Sequence, residues 1–236
     1  MTKILIDSAD IKKAREIEKY YTIAGITTNP TILSKIEGSL EDKLKELKEF
    51  TYGKYEVHIQ TTESEVEKIV EEAKKLRDYF GESFYIKIPV TKSGLEAMKL
   101  CSKEDIRVTA TAILTPMQAL AAAKNGANYV APYVNRMENV GQDAKEAILE
   151  ISNLLIDYPT EILAASFKNV KQVQDILRCG AEAVTIAPEI IEASIWHPYT
   201  DKSVFDFEKD WGNRFGDKKG RMEDSKKWYA KAAERG

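Results

Sequence analysis

Histidine and cysteine are scarce, at two residues each in a chain of 236. His58 and His197 are too few for a multi-histidine zinc site. Cys101 and Cys179 lie far apart without paired spacing, which argues against a disulfide framework or a thiolate metal centre. No apolar run approaches the roughly 20 residues of a membrane helix. The opening Met1-Thr2-Lys3-Ile4-Leu5-Ile6-Asp7 meets an acid too early for a secretory apolar region. No charge sign dominates: 35 Lys and Arg stand against 38 Asp and Glu, a formal net charge of -3. The basic field that would draw nucleic acid or an anionic membrane is therefore missing. A Pro/Gly/Ser-rich linker is missing too, so one domain is expected. These absences point to a soluble, cytoplasmic protein with no nucleic-acid or membrane partner.

What is present is alternation. Short β-branched, apolar segments take turns with amphipathic helical ones, the signature of repeated βα units around parallel strands. The strand candidates are Lys3–Asp7, Ala24–Asn29, Tyr55–Thr61, Ser83–Val90, Ile106–Leu114, Ala127–Val134, Glu161–Phe167 and Ala181–Ala187. Leu40–Phe50, Glu63–Phe80 and Ala144–Leu155 carry apolar residues at helical spacing. Asn29-Pro30, Pro89 and Pro188 stand where strands should end, and Asn125-Gly126 and Cys179-Gly180 where helices should stop. Eight even units favour a closed α/β barrel, the (β/α)8 TIM architecture, over an open doubly wound sheet. Residues 1–202 are expected to form the barrel. Residues 203–236 are expected to add a helix, Ser203–Phe215, and a charged tail after Gly216. The aromatics of that helix, Phe205, Phe207, Trp211 and Phe215, call for burial against the barrel or a neighbouring subunit. Trp196 and Trp228 read as packing residues.

In such a barrel the active site lies at the C-terminal ends of the strands. Polar residues there are Asp7, Thr28, Asn29, Gln60, Lys87, Thr111, Tyr133 with Arg136, and Ser166. Lys87, in Phe84-Tyr85-Ile86-Lys87-Ile88-Pro89-Val90, interrupts a strand otherwise fit for complete burial. Burying an ammonium is costly, and desolvation that lowers its pKa supplies the neutral amine needed to attack a carbonyl. The alternative is a structural lysine paired with an inward carboxylate such as Asp7. Asp7 itself suits either proton transfer or a helix N-cap, a task Ser8 or Asp10 would serve as well. Thr28 and Asn29 suit sugar hydroxyls or a capped turn. Tyr133 and Arg136 suit a proton relay and a phosphate, or a core edge and a surface charge. Ser166 suits a phosphate or a helix cap. Lys168 reads as solvent-facing and His58 as a packing histidine.

Assembled, Leu5-Ile6-Asp7, Gly25-Ile26-Thr27-Thr28-Asn29-Pro30, Tyr85-Ile86-Lys87-Ile88-Pro89-Val90-Thr91, Ala131-Pro132-Tyr133-Val134-Asn135-Arg136 and Leu163-Ala164-Ala165-Ser166-Phe167-Lys168 resemble the small transaldolase family. Within it they resemble the fructose-6-phosphate aldolases, from Leu5 to about Phe215. The resemblance implies a class I aldolase mechanism without metal or cofactor, acting on a sugar phosphate. Lys87 would form the Schiff base, Asp7 and Asn29 would hold substrate hydroxyls, and Asp7 would move a proton at the C4 hydroxyl. Arg136 and Ser166 would hold phosphate. Transaldolases usually carry Glu and Phe where this chain reads Gln60 and Tyr133, so the resemblance implies that Tyr133 protonates the enamine through a water held by Gln60 and Thr111. It also implies a homo-oligomer, family members forming rings that are often decamers. Thr109 and the polar run Gln60-Thr61-Thr62-Glu63 depart from the family pattern, as does the long tail.

Overall fold

In a computed structural model describing residues 2–35 and 37–216, all eight expected strands are present and parallel. They are β1 (Lys3–Asp7), β2 (Gly25–Thr27), β3 (Glu56–Gln60), β4 (Phe84–Pro89), β5 (Val108–Ile113), β6 (Tyr129–Pro132), β7 (Glu161–Ala164) and β8 (Ala183–Ile186). Each pairs with the next, and β8 returns to β1, so the (β/α)8 barrel is closed. Between strands run α1 (Ile11–Glu18), α2 (Pro30–Leu33), α3 (Leu40–Thr51), α4 (Val66–Phe80), α5 (Lys92–Lys103) and α6 (Pro116–Lys124). The second half adds α7 (Val134–Asn139), α8 (Ala144–Leu154), α9 (Val170–Arg178) and α10 (Pro188–Ile195). No helix among the described residues is long and apolar enough to cross a membrane.

The punctuation acts as the residue types dictate. Asn29 caps α2 through a bond from the Ile32 amide, with Pro30 behind it, and Thr115 and Gln118 form a capping box on α6. Strand ladders stop short of the expected ends. Tyr133 makes only an isolated bridge to Ala165 and opens α7 as its N-cap residue.

Period-two alternation decides what fills the barrel. Phe84, Ile86 and Ile88 of β4 join the large apolar layer under the helices, whereas Tyr85 joins an inner cluster with Leu5, Tyr129, Leu163 and Ala183. Lys87 shares the inward face of Tyr85. Below that cluster the N-terminal mouth is closed by charge. The Lys3 ammonium donates to the Tyr129 hydroxyl at 2.5 Å and the Glu161 carboxylate at 2.7 Å, while Glu56 accepts from Tyr129 at 3.2 Å. His58 is fully buried there, stacked on Tyr85 at 4.5 Å. It is a packing histidine with two polar partners, Thr109 and Glu56.

The chain divides into two compact units, Met1–Ser194 and Ile195–Gly236. The second contains α11 (Pro198–Phe215). This helix starts before the expected Ser203 because His197 caps it, its Nδ1 accepting from the Tyr199 amide at 3.2 Å, with Pro198 in the first turn. The charged tail after Gly216, with Trp228, lies outside the described residues.

Candidate active site

Lys87 is only 3 % exposed, and its Nζ donates to the Thr28 main-chain oxygen at 3.0 Å. Burial holds its pKa below the ordinary lysine value, and the Asp7 carboxylate, pulling upward, does not restore it. Asp7 shifts the opposite way. Burial raises its carboxyl, outweighing the lowering by Lys87 and by the Thr27 hydroxyl that donates to Oδ1 at 2.7 Å. Burial thus shifts each of the two groups toward its neutral form. A lysine clamped by a carboxylate is not what forms: the Lys87 hydrogen bond goes to a carbonyl, and Asp7 accepts from a threonine.

Above Lys87 opens a cavity of about 540 Å³ at the C-terminal ends of the strands. Asp7, Asn29, Gln60 and Lys87 line it together with Tyr133, Arg136 and Ser166, so seven of the nine residues singled out in the sequence meet in one place. Thr28 and Thr111 do not reach the lining and are fully buried. Thr28 contributes its carbonyl to Lys87, and Thr111 donates its hydroxyl to the Tyr133 phenol oxygen at 3.0 Å. The Arg136 guanidinium lies 4.7 Å from the centre of the Tyr133 ring.

Backbone strain sits where this wall is built. The β5–β6 register shifts between Ala110 and Ile113, and Ala112, at φ 58°, takes the extra residue of the bulge. Ser166 is likewise left-handed, at φ 64°. Such a backbone costs a non-glycine residue roughly 1–2 kcal/mol. In return the bulge sets Thr111 against Tyr133, and Ser166 turns out of the strand to let its carbonyl accept from the Asn135 amide at 2.9 Å. The capping alternatives are resolved as well. Asp10 caps α1 and Asn169 caps α9, so neither Asp7 nor Ser166 serves as a cap. Asn29 does both: its Oδ1 caps α2 while the side chain lines the cavity.

Sequence reasoning missed Lys35 and Lys168, which line the mouth beside Arg136, and the Thr27–Thr185 hydroxyl pair, 2.7 Å apart, under Asp7. Lys168 was expected to face solvent; it is exposed, yet it stands on the cavity wall. For Lys168 the available signal was position, shortly after the end of β7; Lys35 follows α2 and carried none. Among the described residues no cluster of His, Cys, Asp and Glu could hold a metal ion.

With the geometry established, comparison with known proteins adds a family. The Transaldolase/Fructose-6-phosphate aldolase family model matches residues 4–232. The chain belongs to that family. Among curated relatives, a Streptococcus pneumoniae protein named "Probable fructose-6-phosphate aldolase" is 39 % identical over 214 residues, 89 % of this chain and 96 % of its own. A Nitrosopumilus maritimus protein named "Probable transaldolase" is 35 % identical over 212 residues, 89 % of this chain and 94 % of its own. A Thermoplasma volcanium protein of the same name is 37 % identical over 214 residues, covering 89 % and 95 %. This member of the transaldolase/fructose-6-phosphate aldolase family is thus an enzyme of aldolase or transaldolase chemistry, and the names of its relatives divide between the two.

Proposed function

We propose that the protein is a class I aldolase that reversibly cleaves fructose 6-phosphate to dihydroxyacetone and glyceraldehyde 3-phosphate. The observation that carries this reading is the buried Lys87, its pKa held low by desolvation, opening into a polar cavity. Its neutral amine attacks C2 of the ketose, and the Asp7 carboxylic acid protonates the carbinolamine hydroxyl, which leaves as water to give an iminium and an Asp7 carboxylate. Asp7, with a raised pKa suited to proton exchange, takes the C4 hydroxyl proton as the C3–C4 pair flows into the iminium. Glyceraldehyde 3-phosphate leaves and an enamine stays on Lys87. Tyr133, held by the Thr111 hydroxyl, returns a proton to C3 through a water at Gln60, and hydrolysis frees dihydroxyacetone. Asn29, its Oδ1 engaged in capping, offers Nδ2 to a hydroxyl oxygen beside Thr28. Arg136 and Ser166 take the phosphate.

A tyrosine in the wall favours aldolase over transaldolase, because the latter must keep its enamine unprotonated until an acceptor arrives. The relatives named as transaldolases keep the second reading alive. Supplying fructose 6-phosphate without an acceptor separates them. Sustained release of dihydroxyacetone supports the aldolase. Glyceraldehyde 3-phosphate in amounts equal to the enzyme, with turnover restored by erythrose 4-phosphate, supports the transaldolase. Borohydride should trap an adduct on Lys87, and Lys87→Met should abolish both adduct and turnover while keeping the fold. A Lys87→Met enzyme that still turns over ends the Schiff-base mechanism. Homo-oligomerisation is part of the proposal: α11 carries Phe205, Phe207, Trp211 and Phe215, apolar area suited to a second copy, which light scattering tests.

A further inference from the structure

The buried polar groups of the barrel are Lys87, His58, a set of threonines and one amide. Gln172, on α9, is 9 % exposed and is the only buried Asn or Gln side chain among the described residues. Its hydrogen-bonding capacity is used in two directions. Oε1 accepts from the Lys168 amide at 2.7 Å, on the connection between β7 and α9. Nε2 donates to Glu138 Oε2 at 2.5 Å and to Asn135 Oδ1 at 3.4 Å, both on α7. Gln172 therefore ties together the two segments that bring cations and a hydroxyl to the cavity: Arg136 from α7, and Ser166 and Lys168 from the β7–α9 connection.

Capping explains only half of this. Asn169 caps α9 by accepting from the Gln172 amide at 2.9 Å, and a glutamine at this position bonding back to Lys168 completes that turn. The two bonds to α7 add nothing to the cap. They continue a seam begun by the backbone, where the Val134 and Asn135 amides donate to the Ala165 and Ser166 oxygens at 3.0 and 2.9 Å. Arg136 and Lys168 are exposed side chains on short segments, and gathering them around an anion costs ordering entropy unless their backbones are already fixed. A buried amide satisfied on both sides, with one charge-assisted bond, is the brace that fixes them.

We infer that Gln172 is a positioning residue for the anionic end of the substrate, holding α7 and the β7–α9 connection in one register so that a phosphate meets Arg136, Ser166 and Lys168 together. This rests on the aldolase reading for the claim that the anion is the substrate's phosphate; the anion site itself does not need it.

The test measures the two ends of the site separately. Inorganic phosphate binding is followed by titration calorimetry, and Schiff-base formation by borohydride trapping with dihydroxyacetone, which has no phosphate. Gln172→Leu should weaken phosphate binding about tenfold and raise KM for fructose 6-phosphate in step, leaving kcat and dihydroxyacetone trapping within about twofold. Gln172→Glu, which sets two carboxylates against each other, should lose more. Combining it with Glu138→Gln reverses donor and acceptor and should recover most of the phosphate binding, and this pair decides the matter if Gln172→Leu does not fold. Equal phosphate binding by parent and variants overturns the inference, as does no phosphate binding by the parent, or trapping that falls in parallel with phosphate binding. A parent that binds phosphate in a Gln172-dependent way yet traps no ketone overturns the aldolase reading and leaves the positioning role standing.

Discussion

The Thr111 hydroxyl donates to the phenol oxygen of Tyr133 at 3.0 Å, which leaves the phenol's own proton free to point elsewhere. Tyr133 lines the cavity that Lys87 enters, and the proposed relay would deliver that proton to the reacting carbon. Tyr133→Phe should slow dihydroxyacetone release by about 100-fold, the range for loss of one general acid. The single-turnover burst of glyceraldehyde 3-phosphate should change much less. Thr111→Val should reproduce part of the effect by letting the ring reorient. Equal slowing of both steps would remove the relay role from Tyr133.

The rate of Schiff-base trapping should rise with pH, because only the neutral amine attacks. The folded pKa of Lys87 lies below the ordinary 10.5, so the midpoint should fall below that value. Asp7 is the one charge that pulls this pKa upward. Asp7→Asn should therefore move the midpoint to still lower pH, even as it slows C3–C4 cleavage. Trapping measured from neutral to alkaline pH checks the sign. A midpoint that moves up in Asp7→Asn would mean that the carboxylate does not act on Lys87.

The barrel was legible because its signals are local and repeated: β-branched runs, Asn-Pro and Asn-Gly breaks, and eight returns of the same unit. The buried lysine was legible because Phe84-Tyr85-Ile86-Lys87-Ile88 has no other charge to explain. Less accessible was anything set by backbone geometry. The β5 bulge at Ala112 and the left-handed Ser166 occur at residue types with no preference for positive φ, since neighbouring strands impose them. Nothing local in the sequence marks Gln172, whose side-chain partners Glu138 and Asn135 lie 34 and 37 residues earlier in the chain. Lys35 and Lys168 illustrate the same limit, since exposed residues become cavity residues only once the loops are placed.

Gly25 is required by close approach. A Cβ there would fall 2.5 Å from the Glu56 main-chain oxygen and 2.9 Å from its Cβ, where β2 pairs with β3. The neighbour is backbone and cannot step aside, so Gly25→Ala should destabilise by about 1–3 kcal/mol. The shift would pass along three-residue β2 to Thr27, the hydroxyl that donates to Asp7. The urea midpoint should drop with little change in slope, and trapping should slow at temperatures where the variant is still folded. A midpoint equal to that of the parent would show that β2 and β3 separate more easily than their pairing implies.

His58 ties the stability of the barrel to pH. Burial holds its pKa below 6.5 against the opposing pull of Glu56, while Lys87 and Lys3 push the same way as burial. The neutral ring satisfies its partners with the proton on Nε2, which faces Glu56 at 3.3 Å, and Nδ1 accepting from the Thr109 hydroxyl at 2.8 Å. Tyr85 and Tyr129 cover its faces without adding charge. As pH falls below 6.5 the unfolded chain takes up a proton that the native state refuses, so stability declines until the folded pKa is reached. The decline is at most about 1.4 kcal/mol per pH unit for this one group. Above pH 6.5 the penalty vanishes. His58→Gln keeps an amide donor toward Glu56 and cannot titrate, so the stability gap between parent and variant should narrow on going from pH 7.5 to pH 5. Urea melts at the two pH values measure that gap. A gap that stays constant or widens at low pH would mean that His58 is protonated in the folded barrel, with Glu56 as its counter-ion.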